Sequence, residues 1–577
     1  MTLVLLCSAG SSFAAAGSEI ADAAMKGDLA AVRTLLQQKA DVNSPQIDGA
    51  TALHWAVYRD DLATAGLLLG AGASADAKNR NGITPLYMAS LYGNAPMIDR
   101  LIRAGADAKQ RGPAGETLLM LAARNGNPNA VKTLIAAGSD VNARESLRGT
   151  TALMWAAEQK HPAAVKALLE GGADVAARSG AAGLPRSRVH PAVDPAIVEA
   201  NARRYSAAAA AGRTYQEQLE FEVQATRAGR TQNGRLNTPV NTNDADGDVL
   251  VAGLVGGGSG GLTALVLAAR EGDIESAKVL IDAGADINQV TEYGWTPLLT
   301  ATNNRHYRLG AFLMERGADV NMANKGRWTP LYLATDNANI EGGDYPVPKA
   351  DMDHLEYIKV LLEHRADPNA RVKDNTLSRT IFTQLWFLES GATPFVRVSQ
   401  SGDTALMKLL LSYGADPKSA TDHGDTALTA AAGIGWIDGV TYEHSAKETV
   451  EAVKILLDLG LDPNGANKDG RTPLMGAAIK GRPELVQLLV DHGAKLDTRD
   501  KGNRDTEDAG SMLAGHTWQA LDYADGLVRV GVQSAINRPE AAALIRSLMT
   551  GRGMTVPPVN RVVESICIVE ICKERAW

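Results

Sequence analysis

The sequence predicts an all-α protein built as a solenoid of stacked helix pairs. A short phrase, Thr-Ala-Leu or Thr-Pro-Leu, recurs along the chain, and its threonines often stand 33 residues apart, as Thr51 and Thr84 do; the variant Thr117-Leu118-Leu119 keeps this spacing. Aromatic residues make up only 5% of the chain, which is typical of helices that pack closely layer on layer. A single hydrophobic core rarely grows to 577 residues, so a repeat array explains the length better than one globular domain.

Each period carries the signals of two helices and a projecting loop. The threonine of the phrase can cap a helix, and proline at the next position costs no hydrogen bond. About half a period later an apolar pair is followed by Gly-Ala-Asp, as in Gly105-Ala106-Asp107, where glycine supplies the left-handed residue that ends a helix. An Asp-x-Asn sequence, such as Asp140-Val141-Asn142, then predicts a turn into the next repeat.

These features closely resemble the ankyrin repeat from about Gly17 to Met549. The resemblance implies about twelve repeats with short finger loops, the first and the last of them atypical. In one repeat Arg365 replaces the capping glycine, in another Leu461 replaces the alanine, and the histidine of the family's Thr-Pro-Leu-His phrase survives only as His54. We expect those repeats to be weaker or reshaped rather than absent.

The spacing of the phrase predicts where the array is interrupted. Thr151 and Thr263 stand 112 residues apart, which leaves about 79 residues beyond one period. The polar composition of this insertion indicates a surface excursion that is partly disordered. It is either a tolerated loop or a binding arm that folds over the repeats. We therefore divide the chain as follows: 1–16 signal peptide, 17–178 N-terminal repeats, 179–260 insertion, 261–550 C-terminal repeats with loop insertions, and 551–577 tail.

The first residues resemble a secretory signal. The apolar run Leu3 to Leu6 is followed by the small residues Ala14 to Ala16, although no basic residue precedes Lys26. A frayed helical terminus is the alternative. We expect a periplasmic or secreted protein, and otherwise a cytoplasmic one. No later segment approaches the roughly 20 apolar residues of a membrane span, so we expect none.

Three motifs suggest chemistry but lack its context. The glycine cluster from Gly256 to Gly261 matches both a dinucleotide fingerprint and a nucleophile elbow, yet a plain helix pair follows it, which favours a linker. The acidic run from Asp244 to Asp248 begins like a calcium loop but has Val249 where that loop needs glycine. Cys567 and Cys572 lack the spacing of a haem attachment site. We therefore predict no catalytic residue, cofactor or metal.

The resemblance implies protein binding along the concave face of the first helices. The net charge of −8 gives no basic stripe for nucleic acid, and a monomer is expected. Alternatives to an adaptor or scaffold are a structural, self-assembling envelope component, or an enzyme whose site lies in the insertion or a lost C-terminal module. Tryptophan and arginine often anchor interfaces. The predicted binding residues are Trp55, Arg59, Met88, Tyr92, Leu121, Arg124, Trp155, Glu158 and Arg270 on the helices, and Trp295 and Trp328 at finger tips.

Overall fold

The computed structural model describes most of the repeat region. The described residues are 18–180 apart from 114 and 147, 260–339, 349–373, 390–438, 441–502, 517–528 and 536–561, with four single residues between 207 and 221. The signal peptide predicted at 1–16, nearly all of the insertion with its acidic run and most of its glycine cluster, and both tail cysteines lie outside them. The predictions made there stay predictions.

Twelve consecutive helix pairs make up the described residues, in agreement with the predicted repeat number. They contain no β-strand, only three isolated β-bridges at the bases of finger loops. In chain order the helices are α1 Glu19–Lys26, α2 Leu29–Gln37, α3 Ala52–Tyr58, α4 Leu62–Gly70, α5 Pro85–Leu91, α6 Ala95–Arg103, α7 Leu118–Asn125, α8 Pro128–Ala136, α9 Ala152–Glu158, α10 Pro162–Glu170, α11 Ala264–Glu271, α12 Ile274–Asp282, α13 Pro297–Asn303, α14 Tyr307–Glu315, α15 Pro330–Ala338, α16 His354–Glu363, α17 Pro394–Ser401, α18 Thr404–Ser412, α19 Ala427–Ala432, α20 Ala446–Asp458, α21 Pro473–Lys480, α22 Pro483–Asp491, α23 Ala520–Ala524 and α24 Pro539–Gly551. The all-α solenoid of helix pairs is thus confirmed.

The phrase threonines start the first helices as predicted. The Thr84 hydroxyl accepts the amide of Tyr87 at 3.1 Å, which satisfies one of the free amides at the helix start. At Thr51 the helix start also involves the imidazole of His54. Its Nδ1 accepts the Thr51 amide at 3.1 Å, and its Nε2 lies 3.0 Å from the Ile83 carbonyl oxygen. Burial lowers the pKa of His54. This histidine is therefore a structural link between two repeats.

The described helices fall into two compact units. The N-terminal unit contains residues 18–180 and 260–289, and the C-terminal unit begins at residue 290. Within the N-terminal unit, α9 packs against α11 and α10 against α12. The Ser179 amide donates to the Leu262 carbonyl oxygen at 2.8 Å. The two ends of the predicted insertion therefore meet, and the helix pairs on either side of it stack directly.

The asparagine of the Asp-x-Asn turn also joins neighbouring repeats. Asn142 Nδ2 donates to the Gly172 carbonyl oxygen at 3.2 Å, and its Oδ1 accepts the Asp174 amide at 2.7 Å. The same pair of bonds forms at Asn43, Asn321, Asn369 and Asn464. Lys109 and Lys418 occupy this position elsewhere, and their side chains form no such bond within the described residues. The junctions between repeats therefore differ in strength.

Arg365 adopts the left-handed conformation that glycine adopts at the same place in other repeats. Its φ is 68°, against 96° at Gly105 and 92° at Gly284. A side chain there costs about 1–2 kcal/mol, partly offset by the smaller backbone freedom of the unfolded chain. Arg365→Gly should therefore raise the free energy of unfolding by up to about 1 kcal/mol, measured by chemical denaturation. Ala283→Gly, at a right-handed helix end, should lower it; equal effects of the two changes would refute the strain argument.

Candidate functional site

Three positions in the first helix of each pair determine how much of its inner face is exposed to solvent. They are the fourth, seventh and eighth residues after the phrase threonine, and we call them inner positions. In α3 they are Trp55, which is half-buried, Tyr58, which is 57% exposed, and Arg59, which is exposed. In α5 they are Met88, half-buried, with Leu91 and Tyr92 38% and 48% exposed. Bulky apolar side chains thus face solvent in both helices.

Aromatic contacts join these side chains into one surface. The Trp55 indole donates to Oε1 of Gln46 at 2.7 Å, which fixes the ring against the first finger. Its centroid lies 5.7 Å from that of Tyr58, and the Tyr58 centroid lies 6.3 Å from that of Tyr92, both edge to face. Arg59 Nη1 donates to the carbonyl oxygen of Met25, itself 37% exposed, at 3.3 Å. We name the N-terminal patch by its members: Met25, Trp55, Tyr58, Arg59, Leu91 and Tyr92.

Further along the N-terminal unit the predicted binding residues have different environments. Leu121 is 3% exposed because α7 packs between α5 and α9, so it is a core residue and not a contact for a partner. Arg124 is exposed. Trp155 is half-buried and its indole donates to the Thr150 hydroxyl at 2.8 Å.

Glu158 and Arg270 bind each other. Their side chains form an ion pair of 2.7 Å between adjacent first helices, and Arg270 Nε also lies 3.0 Å from Oε1 of Glu271. Burial opposes the charge of Arg270, but the two carboxylates outweigh that effect and raise the pKa of the guanidinium. These residues join repeats and leave little charge for a partner.

The prediction for Trp295 and Trp328 is wrong. The two side chains are 2% and 1% exposed and belong to a core cluster with Tyr332. Trp295 closes its hairpin, because the Thr291 amide donates to the Trp295 carbonyl oxygen at 3.0 Å, so the tip lies before it. The residue just before the phrase threonine is thus at the base of the finger, where an indole is directed into the helix layer.

Most inner positions of the C-terminal unit are buried, although Asn303 and Asn304 at the end of α13 are half-buried. In α15 and α17 they include Asp336 and Arg397, exposed 7% and 5%. A connection between α19 and α20, residues 433–445, carries the buried side chains of Ile434, Trp436 and Ile437. It approaches α21 so closely that a Cβ on Gly476 would lie 2.9 Å from the backbone amide nitrogen of Ile434. The described part of this connection thus covers α21 at an inner position that has no side chain.

Charged groups stabilise this covered region. Arg397 Nε lies 2.9 Å from Oδ1 of Asp336, and its Nη2 donates to the Asn339 carbonyl oxygen at 3.0 Å. Lys480, with no side-chain exposure, places Nζ 2.9 Å from Oε1 of Glu443. Burial lowers the pKa of Lys480 to about 8. Such buried pairs hold the covering segment and neighbouring helices in one arrangement.

No group of histidine, cysteine and acidic side chains in the described residues is arranged to hold a metal ion. Among the same residues, no helix is both long and apolar enough to cross a membrane.

Comparison with protein families decides the membership of the chain. The model described as ankyrin repeats (3 copies) matches residues 20–112, 88–179, 249–324, 265–372 and 395–500, which is more than half of the sequence. The chain belongs to the ankyrin-repeat family. Among curated proteins, no sequence matches it significantly. Ankyrin repeats generally mediate protein–protein interaction and are typically non-enzymatic binding modules.

Sequence reasoning missed Tyr58 and Leu91. It followed the eighth position after the threonine in the second and third ankyrin repeats, which gave Arg59 and Tyr92, and the seventh position in later repeats. Consistent use of the seventh position selects Met25, Tyr58, Leu91 and Arg124, which are all exposed. Tyr58 and Leu91 could therefore have been found by applying the 33-residue period to one helix position throughout.

Proposed function

We propose that this protein is an adaptor or scaffold that binds a partner protein through the N-terminal patch. The observation that carries the proposal is the pair of neighbouring tyrosines, Tyr58 and Tyr92, whose rings contact each other while 57% and 48% of their surfaces remain exposed. Exposed apolar groups that adjoin one another are unusual on a soluble surface and mark interaction sites. Tyrosine and arginine are also among the residues that contribute most to interfaces.

The neighbouring structure suits the patch to this role. Trp55 is held by Gln46, and the first helices α1, α3 and α5 pack side by side, so the side chains lie on a preformed surface. A preformed surface loses little conformational entropy on binding. Most of the equivalent positions of the C-terminal unit are already covered by its own residues, which favours the N-terminal unit as the site of recognition.

Replacement of both tyrosines tests the proposal. Tyr58→Ala with Tyr92→Ala should weaken binding of the partner by about 2 kcal/mol or more, since truncation of an interface hot spot costs that much and tyrosine is enriched among hot spots. The partner is first isolated with the full chain, and its affinity is then measured by calorimetry. The melting temperature should change little, because both side chains are largely solvated.

Tyr413→Ala is the matched control. Tyr413 is 37% exposed but lies in the C-terminal unit, after α18. The Tyr413→Ala variant should bind the partner with the affinity of the wild type. Equal affinities of the double variant and the wild type would refute the N-terminal patch as the binding surface, and loss of affinity in the control would show that the effect is not specific to it.

A further inference from the structure

Exposed arginine side chains lie in and beside the N-terminal patch, although the protein as a whole is acidic. Arg59 and Arg124 are exposed at inner positions of α3 and α7, and neither forms an ion pair within the described residues. Burial would raise the pKa of Asp61, but hydrogen bonds from Thr64 and the nearby charge of Arg59 lower it, although no ion pair forms between the two side chains within the described residues. Asp61 accepts the Thr64 amide at 2.9 Å, and Asp60 accepts the side-chain amide of Asn94.

The finger loops of the same unit add further positive charge. Arg111 Nη1 donates to the carbonyl oxygens of Gly115 and Arg144 at 2.7 and 2.9 Å, and Arg144 Nη1 donates to that of Gly149 at 3.0 Å. Carbonyl oxygens orient these guanidinium groups without neutralising their charge. The exposed Arg80 lies on the preceding finger.

Acidic side chains in the same fingers are turned inward. Glu116 is 7% exposed and accepts the Tyr87 hydroxyl at 2.6 Å. Burial and this carboxylate raise the pKa of Tyr87 to about 12, so the hydroxyl keeps its proton and the bond persists at neutral pH. Glu145, also 7% exposed, accepts the amides of Arg148 and Thr150 at 2.7 and 3.1 Å. The exposed charged side chains at the inner positions of α3 and α7 are thus arginines, whereas Asp22 of α1 is half-buried and accepts the side-chain amide of Gln46.

We infer that the partner segment bound at the N-terminal patch is an acidic peptide that also carries aliphatic or aromatic side chains. This inference rests on the proposed function and names its ligand chemistry. Guanidinium groups bind carboxylates through two parallel hydrogen bonds, and Arg59 and Arg124 flank the exposed rings. The apolar side chains of Met25 and Leu91 match aliphatic groups of a peptide. Opposite charges also steer the encounter, so the association rate falls as salt is added.

Peptide selection provides the test. Random peptides displayed on their messenger RNA are selected on the full-length protein, and those that also bind the Tyr58→Ala, Tyr92→Ala variant are removed. The enriched peptides should contain an excess of aspartate and glutamate beside aliphatic or aromatic residues. Arg59→Glu with Arg124→Glu should lower the affinity for the best peptide on the order of 100-fold, measured by fluorescence anisotropy, and should lower the association rate at low salt.

The matched control reverses two exposed arginines on second helices of the same unit. Arg33→Glu with Arg103→Glu makes the same change in net charge on α2 and α6, although it also breaks the exposed pair of Arg103 with Asp99, and should weaken peptide binding about threefold or less. A thymidine oligonucleotide is the competing ligand, and it should neither bind at physiological salt nor displace the peptide.

Every other outcome contradicts the inference, and the outcomes differ in whether the proposed function survives. Peptides that depend on Tyr58 and Tyr92 but carry no acidic excess, or that ignore the Arg59 and Arg124 reversal, would leave the proposed function standing and refute the acidic ligand. An oligonucleotide that binds and is lost in the Arg59 and Arg124 variant would replace the peptide by nucleic acid. Selection without enrichment over the tyrosine variant would refute both the ligand and the proposed function.

Discussion

Glu443→Ala should lower the free energy of unfolding of the C-terminal unit by about 3–5 kcal/mol. The change removes the carboxylate that pairs with Lys480, whose side chain has no solvent exposure, and with Arg482. An ammonium group buried without its partner costs far more than the lost attraction of an exposed pair. Denaturation of the full-length protein, followed by tryptophan fluorescence, measures the effect, since Lys480 Nζ lies 5.9 Å from the centroid of the Trp436 ring.

A double change separates the cost of the unpaired charge from other damage. Glu443→Leu with Lys480→Met removes both charges and should recover most of the stability, because apolar replacement of a buried pair is often neutral or favourable. A double variant as unstable as Glu443→Ala would contradict this explanation, and so would a loss below about 1 kcal/mol for Glu443→Ala alone.

The pH dependence of this pair has a sign that follows from its pKa values. Lys480 has a pKa of about 8 in the folded protein, below that of the unfolded chain, so the unfolded chain binds more protons above pH 8 and stability from this group rises toward pH 10.5. Burial alone would raise the pKa of Glu443, but Lys480, Thr449 and Arg482 lower it below its usual value. The stability that Glu443 contributes is therefore complete above the usual pKa of a glutamate and is lost as the pH falls through the lower pKa of the folded protein. Lys480→Met should abolish the alkaline gain.

Asp336→Ala should be about as costly, on the order of 3–5 kcal/mol. The side chains of Asp336 and Arg397 are 9% and 6% exposed, and the change removes this carboxylate from a buried guanidinium that also donates to Gln400 Oε1 at 2.9 Å. The control is an exposed pair of similar length, Lys408 with Glu451 at 2.7 Å. Lys408→Ala should change stability by at most about 1 kcal/mol in the same denaturation assay. Similar losses at the two sites would show that burial does not decide the cost.

The sequence predicted the helices well and the exposure of the candidate binding residues only in part. Helix starts follow from local chemistry, namely a capping threonine before an apolar stretch, so a single sequence contains them. Exposure depends on what another part of the chain covers. Trp55 and Arg397 occupy the same position after their threonines, yet one lies on the N-terminal patch and the other is 5% exposed.

Gly476 illustrates the same limit. As a lone glycine inside a helix it predicts only weakness, and the structure explains it by the approach of residues 433–445. The 46 residues between Thr426 and Thr472 show that about 13 residues exceed one period, but their spacing does not say where those residues lie. Tertiary contact, and not helix propensity, therefore decides which repeats remain available to a partner.

The asparagine bridges between repeats have a consequence for cooperativity. In a stack where each repeat touches only its neighbours, the coupling at each junction determines how far unfolding spreads. Asn43, Asn142, Asn321, Asn369 and Asn464 each add two hydrogen bonds across a junction, whereas Lys109 and Lys418 add none within the described residues. Junctions that lack these bonds, among them those at Lys109 and Lys418, should consequently open more easily than the bridged ones. The junction at Lys109 follows α6, so opening there would separate the repeats that carry the N-terminal patch from the helix pairs after them.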